Sequence, residues 1–420
     1  MSVVLPQSIN YSEMLPSLPE QCIQIPCATN PTNLQTASAG QQIQFDLLNR
    51  GFLVPDSMYI SYAYTLTSAV SAQMIGCPVY TPFSRLDVQA GSQTIDTINS
   101  YNVLMNMMTN LTLSVSDKYG LQSAFGYLGD AGVPTLEQLD GRLCTLNEVG
   151  SFSAPLPSVL SNAEKLLPLF AMPQMRVILT VDSIANMFTS AVVPTGFVLS
   201  NIELRYKIVD MGSEVENMVR AMGDKVYIKS QSFSCSSTTL AAATASSVEL
   251  VFNQRYASVK SLFAINGVGT ALSNRQFDSV DLTIGTGDYS FIVGGVNYPQ
   301  KPISARTNRA GALQELRSAV GSIFDRNNSF SINSIEYAYN GGTASACTYN
   351  APGKYYLAVS TEKLNSSSIL TGISTQNSPI SYRINTGASI GVNASTITLV
   401  VNYDALFEVD TVNRQLSVKS

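Results

Sequence analysis

Apolar and polar positions alternate with a period of two along most of this chain, which is the spacing of half-buried antiparallel strands. Ile43, Phe45 and Leu47 face one way, with Gln42, Gln44 and Asp46 facing the other. Met58, Ile60, Tyr62, Tyr64 and Leu66 extend the pattern over a longer strand, followed by a hairpin from Leu86 to Ile95. Met175, Val177, Leu179 and Val181 form another strand, and Ile202, Leu204, Tyr206 and Ile208 close the first half. The second half repeats this order with Val226 and Ile228, then Val248, Leu250 and Phe252, then a hairpin-like run from Val280 to Tyr289. It closes with Tyr355, Leu357 and Val359, then Ile397, Leu399 and Val401, with Phe407, Val409 and Val412 near the C-terminus. Each half is interrupted once by helical spacing. Ile98, Tyr101, Met105 and Met108 predict a helix from about Asn99 to Met108, and a second helix is expected from about Arg309 to Val320. Two successive stretches of roughly 190 residues thus carry the same parts in the same order, and a 420-residue chain exceeds the size of most single cores.

The segments between these strands differ in character. Prolines in residues 1–38 argue against regular structure, while Val3, Val4, Leu5, Met14, Leu15, Leu18, Ile23 and Ile25 provide apolar anchors. An extended arm is expected there, lying on its own β domain first, or on a neighbouring subunit or a membrane beneath. Glycines and prolines punctuate residues 110–174, which read as long loops ordered by packing or by partners. Ser234–Ser247 reads as a loop or weak hairpin, and Asn297–Ile303 as an extended segment restrained by Pro299 and Pro302. Ser213 and Glu216 have capping-box spacing, and Gly223 supplies a stop, so 213–223 is expected to be a connector helix.

Composition then narrows the chemistry. The chain has no histidine, which removes Ser-His-Asp and Cys-His catalysis, histidine metal sites and the usual pH switch. Cys22, Cys27, Cys77, Cys144, Cys235 and Cys347 show no C-x-x-C pairing and read as reduced, partly buried residues, with a Cys22–Cys27 bridge left open. Asp281 with Asp288, and Asp404 with Glu408, are the carboxylate pairs that glycosidase chemistry would need, although sequence does not set their separation. Gly285-Thr286-Gly287 and Gly294-Gly295 lack the GK[ST] ending of a P-loop and read as turns. No EF-hand pattern occurs, and no catalytic, cofactor or metal residue is assigned.

Charged residues are only 13% of the chain against about 25% in ordinary soluble domains, so its surface is largely uncharged. Such a surface loses little hydration when covered by neighbours. Net charge is −5, and the first cation is Arg50; before it come only Glu13, Glu20 and Asp46. That segment is no phosphate-binding tail, and direct or sequence-specific nucleic-acid binding is not expected. Prolines 6, 16, 19 and 26 break up any signal-like apolar run, and no stretch is long and apolar enough for a transmembrane helix. N-x-S/T triplets at Asn10, Asn110, Asn327, Asn365 and Asn393 read as chance matches.

The duplicated β halves resemble the double jelly-roll major capsid proteins of the adenovirus and tectivirus lineage of icosahedral DNA viruses. The resemblance spans nearly the whole chain through the order of parts. It is carried by Asn201–Arg220, by Gly295-Val296-Asn297-Tyr298-Pro299, and by Leu370-Thr371-Gly372 through Asn377-Ser378-Pro379-Ile380 to Phe407-Glu408-Val409-Asp410. It implies an all-β fold of two consecutive eight-stranded jelly-roll sandwiches with short helices and long loops. The corresponding division is an N-terminal extended arm at 1–38, a first jelly roll at 39–212 with an insertion at about 110–174, the connector at 213–223, and a second jelly roll with its tail at 224–420.

The resemblance further implies a non-enzymatic protein that forms a homotrimeric, pseudo-hexameric capsomer and tiles an icosahedral shell. Implied partners are its own copies, neighbouring trimers, and penton and minor capsid proteins; family members often enclose an internal membrane. The implied location is the virion, after synthesis in the host cytoplasm or nucleus. The alternative reading is a β-sandwich adhesin or glycan-binding spike or penton component. It would use loop aromatics such as Tyr337, Tyr339, Tyr349, Tyr355 and Tyr356, and sugar-binding monomers would distinguish it from trimers.

Overall fold

A computed structural model describes residues 22–127, 141–145, 147–189, 193–221, 223–241, 247–267, 279, 287–304, 308–321, 330–332, 337, 354–363, 370–385 and 395–420. In the first half the strands are β1 (Ile23–Thr29), β2 (Ala37–Ser38), β3 (Gln42–Asp46), β4 (Phe52–Thr67), β5 (Ala72–Ile75), β6 (Phe83–Ala90) and β7 (Gln93–Asn99). Helices α1 (Tyr101–Thr112), α2 (Val115–Gly120) and α3 (Gln122–Phe125) follow, then β8 (Gly141–Cys144), β9 (Val149–Pro155) and β10 (Leu167–Pro168). The half ends with β11 (Met175–Val181), α4 (Ile184–Met187), β12 (Phe188–Thr189) and β13 (Gly196–Asp210).

Helix α5 (Gly212–Ala221) lies between the halves. The second half has β14 (Lys225–Leu240), β15 (Ser247–Phe252), β16 (Val259–Gly267), β17 (Asp288–Val293), β18 (Val296–Ile303), α6 (Arg309–Val320), β19 (Leu357–Ser360), β20 (Ile380–Asn385), β21 (Ser395–Asp410) and β22 (Gln415–Lys419).

Strand order identifies the architecture. In the second half one sheet runs β14-β21-β16-β19, with β22 beside β21, and the other runs β15-β20-β17-β18. Numbering β14 to β21 from one to eight, these orders are 1-8-3-6 and 2-7-4-5, the jelly-roll arrangement. The first half repeats it. One sheet runs β1-β13-β4-β10, with β2 beside β13 and β9 beside β4, and the other runs β3-β11-β6-β7. A small third sheet, β12-β5-β8, is added to the first half.

The long strands form as their alternation predicts. In β4 the side chains of Met58, Ile60, Tyr62, Tyr64 and Leu66 are buried, while Tyr59, Ser61, Ala63 and Thr65 face outward. Tyr62 bridges the two sheets of the first sandwich, meeting Phe83 edge-on with ring centroids 5.5 Å apart. Buried apolar side chains of both halves form one continuous cluster, so the sandwiches share packing as well as a connector.

Several expected loops are regular structure. Residues 23–29 of the expected arm form β1, paired with β13 from Ile23↔Asp210 to Thr29↔Leu204. Pro26 is tolerated because β1 is the terminal strand of its sheet, where a missing donor can face outward. Residues 1–21 lie outside the described residues. The 110–174 segment contains α2, α3, β8, β9 and β10; of it, 128–140 and 146 lie outside the description. Ser234–Leu240 is not a loop but continues β14 along Val401–Ser395 of β21. The long partner strand supplies an edge that overrides weak local propensity.

Helix α1 begins two residues later than expected and runs on to Thr112, while α6 has the expected limits and an Asn308 side chain that caps Gly311 N–H at 3.1 Å. Helix α5 starts at Gly212, so Ser213 lies inside its first turn rather than ahead of it. Its first amide is instead met by Asp210 Oδ1 at 3.1 Å.

Candidate interaction surfaces

The seam between the halves is built from terminal strands. Strand β14, at the edge of one sheet of the second half, packs on β7, at the edge of a sheet of the first. At its centre, Asp96 of β7 accepts hydrogen bonds from Ser232 Oγ at 2.7 Å and from the Tyr403 hydroxyl at 3.1 Å. The Tyr403 ring is stacked on Tyr256 at 3.8 Å. Asp96 is 4% exposed, and burial pushes its carboxyl up to about 6, against the opposing pull of Ser232, Tyr403 and the Val159 and Thr97 amides.

Further bonds flank this carboxylate. Ser230 Oγ donates to the Val159 carbonyl at 2.5 Å, Asn162 donates to the Gln231 carbonyl at 3.2 Å, and Glu164 N–H donates to the Lys229 carbonyl at 3.0 Å. Lys229 Nζ lies 3.6 Å from Glu164 of the first half and 3.7 Å from Asp404 of the second. At α1, buried Asn110 donates to the Tyr356 hydroxyl at 3.1 Å and accepts from Lys118 Nζ at 2.8 Å. These contacts fix one half against the other through directional bonds, which apolar burial alone does not supply.

Beside the seam lies a largely apolar cleft of about 390 Å³. Tyr80, Met105, Met108 and Phe125 of the first half line it, together with Gln231 and Phe233 of β14. The methionines expected to pack in the core do so, with Met105 and Met108 both buried.

Among the described residues, those considered for chemistry do not assemble into a site. Asp281, Gly285 and Thr286 lie outside the described residues, and Asp288 begins β17. Asp404 and Glu408 stand four residues apart on β21, about 13 Å along an extended strand, whereas glycosidase carboxylates lie about 5 to 9.5 Å apart. Asp404 is instead fully buried and accepts from Ser258 Oγ at 2.7 Å, while Glu408 is held between Lys225 and Lys419. Gly294 and Gly295 form the hairpin turn between β17 and β18, with φ of 58° and 79°.

Tyr337, Tyr355 and Tyr356 are at most 1% exposed, and the Tyr337 and Tyr355 rings stack on each other at 5.2 Å. They are therefore core residues rather than a sugar platform, while Tyr339 and Tyr349 lie outside the described residues. Asn110 is buried within α1 and unavailable as a glycan acceptor in the fold; Asn10, Asn327, Asn365 and Asn393 lie outside the described residues. Cys22 and Cys27 are free thiols, so the bridge left open by the sequence is not formed; Cys77, Cys144 and Cys235 are free and buried, and Cys347 lies outside the description. Among the described residues no cluster of three or more His, Cys, Asp or Glu side chains could hold a metal ion, and no helix is long and apolar enough to cross a membrane.

Asp96 is the seam residue that the sequence reading passed over. Its signal was its position: two residues before fully buried Ile98 on the same strand face, where a lone acid requires partners.

No protein-family model and no curated protein sequence matches the chain. Solved structures do. VP54 of PBCV-1, fitted into a reconstruction of the virophage Sputnik, superposes with a TM-score of 0.63 at 9% identity, covering 98% of this chain and 99% of that one. The Faustovirus major capsid protein gives 0.62 at 10% identity, covering 97% and 93%. The mavirus major capsid protein gives 0.53 at 9% identity, covering 100% and 95%. Strand order and superposition agree along nearly the whole chain: it has the double jelly-roll fold of these viral major capsid proteins.

Proposed function

We propose that this chain is a structural major capsid protein whose homotrimers form pseudo-hexameric capsomers that tile an icosahedral shell. The carrying observation is the repeat of one strand order in two sandwiches packed side by side within one chain. Three such chains around a threefold axis present six similar units, enough to fill a position in a hexagonal lattice with one gene product. Within this reading the first jelly roll starts at β1 rather than at residue 39 and runs to 212, the connector is 213–223, and the second jelly roll is 224–420. The protein resides in the virion after assembly in the host cytoplasm or nucleus. Penton and minor capsid proteins complete the vertices, and an internal membrane is a further partner of such shells. The cation-free stretch before Arg50 supports a shell that does not bind nucleic acid through an N-terminal tail. The buried tyrosines Tyr337, Tyr355 and Tyr356 favour shell building over glycan binding.

Light scattering on the purified chain tests the reading. A trimer of the 45.1 kDa chain has a mass of about 135 kDa, and that is the expected result. A stable monomer that binds glycans would instead support the adhesin reading.

A further inference from the structure

The polar groups in the walls of the cleft beside the seam are largely engaged within the fold. Thr109 Oγ1 donates to the Met105 carbonyl at 2.9 Å and Thr112 Oγ1 to the Met108 carbonyl at 2.7 Å, both inside α1. The Tyr80 hydroxyl donates to the Pro155 carbonyl at 2.7 Å, and the Asn162 amide to the Gln231 carbonyl at 3.2 Å. What remains facing the cleft is mainly apolar, set by Met105, Met108, Phe125 and Phe233. Among the described residues no lysine or arginine lines it, and its one charged lining residue is Asp56. Asp56 is exposed, and among the described residues its carboxylate has no hydrogen bond or ion pair.

We propose that this cleft binds a small amphiphilic cation, an aromatic body that carries a protonated amine. Size, wall chemistry and charge each narrow the class. The volume of about 390 Å³ falls within the range of small-molecule sites, about 300 to 1,000 Å³. It is more than twice the roughly 150 Å³ that holds a benzene ring, so a body of about two fused rings fits. Methionine thioethers adapt to irregular shapes and make favourable contacts with aromatic edges, which suits Met105 and Met108 to such a body. An anionic head group would meet Asp56 with no cation in the lining to offset it, whereas an ammonium gains from the same carboxylate.

The walls come from both halves of the chain. Gln231 and Phe233 belong to β14, and the rest of the lining belongs to the first half. A molecule in the cleft therefore touches both sandwiches, and its binding energy favours the arrangement in which they are locked together. The site lies within one chain, so it stands independently of the capsomer reading.

Fluorescence titration of the purified chain with naphthylethylamine tests the site, beside naphthylacetate and naphthylethanol, which carry the same ring system with a different charge. One saturable site per chain is expected, with the amine bound at least about fivefold tighter than the acetate. Asp56→Asn should bring those two affinities within about twofold of each other and leave that of the alcohol unchanged. Thr112→Phe adds a ring at the half-buried edge of the cleft and should abolish binding of all three probes. Equal affinity of wild type for amine and acetate overturns the assignment of a cation. Binding that does not saturate, or that survives in folded Thr112→Phe, overturns the site itself. If Thr112→Phe fails to fold, the methionine methyl NMR signals of the wild type decide: shifts at Met105 and Met108 on adding the amine support the site, and their absence overturns it.

Discussion

Asp96 carries an acid into the seam between two sandwiches and is held there by four donors. Because burial raises its folded-state value to about 6 from 3.8, the folded form holds its proton over a range where the unfolded chain has lost it. Stability from this residue is therefore greatest below pH 4, falls as pH rises from about 4 to 6, and is level above that, a difference on the order of 3 kcal/mol. Asp96→Asn keeps the shape without the titration. Denaturant melts at pH 4.5 and 7.5 should show a smaller stability loss toward neutral pH in the variant than in wild type; an unchanged difference would contradict this account of the seam. Gly372 answers to geometry instead. A Cβ there would meet the Val259 carbonyl oxygen at 2.2 Å, while Val259 and Ile373 are joined by two backbone hydrogen bonds of 2.7 and 2.9 Å. Gly372→Ala should cost about 2 kcal/mol in a urea melt, and a cost near zero would mean that this pairing yields easily. The position of Asp96 was legible in its register with Ile98, but its partners were not, since Ser232 and Tyr403 come from the other half and no spacing in the chain connects them.

Among the elements, α5 stands apart because none of its side chains is fully buried, whereas α1 buries nearly every residue from Tyr101 to Leu111. Its backbone bonds are protected by little besides Val215 and Val219, which pack partly against the core. Hydrogen exchange should open α5 well before α1; equal protection would show that α5 is anchored by contacts with other copies. Elements with strong internal periodicity, such as β4, β13 and α6, could be read directly from the chain, because each buries one regular face. Strand β1 could not, since three of its seven residues are exposed besides Ile23 and its proline suggested an irregular arm. The Ser-rich end of β14 and the short elements after α1 were likewise obscured, because their order comes from neighbouring strands rather than from their own pattern.

For the whole molecule, two jelly rolls are locked side by side through one seam. The architecture needs no shared sequence: structures at about one residue in ten identical superpose over almost their full length. The duplicated order of parts was legible because it follows from strand periodicity, but the number of copies in an assembly was not, because association depends on surfaces that periodicity does not describe. Electron imaging of the purified assembly tests the central claim most directly. The account predicts a hexagonal outline with six lobes of similar size, two from each of three chains around a threefold axis. Two-lobed monomers, or closed rings in which the lobes do not number six, would contradict it.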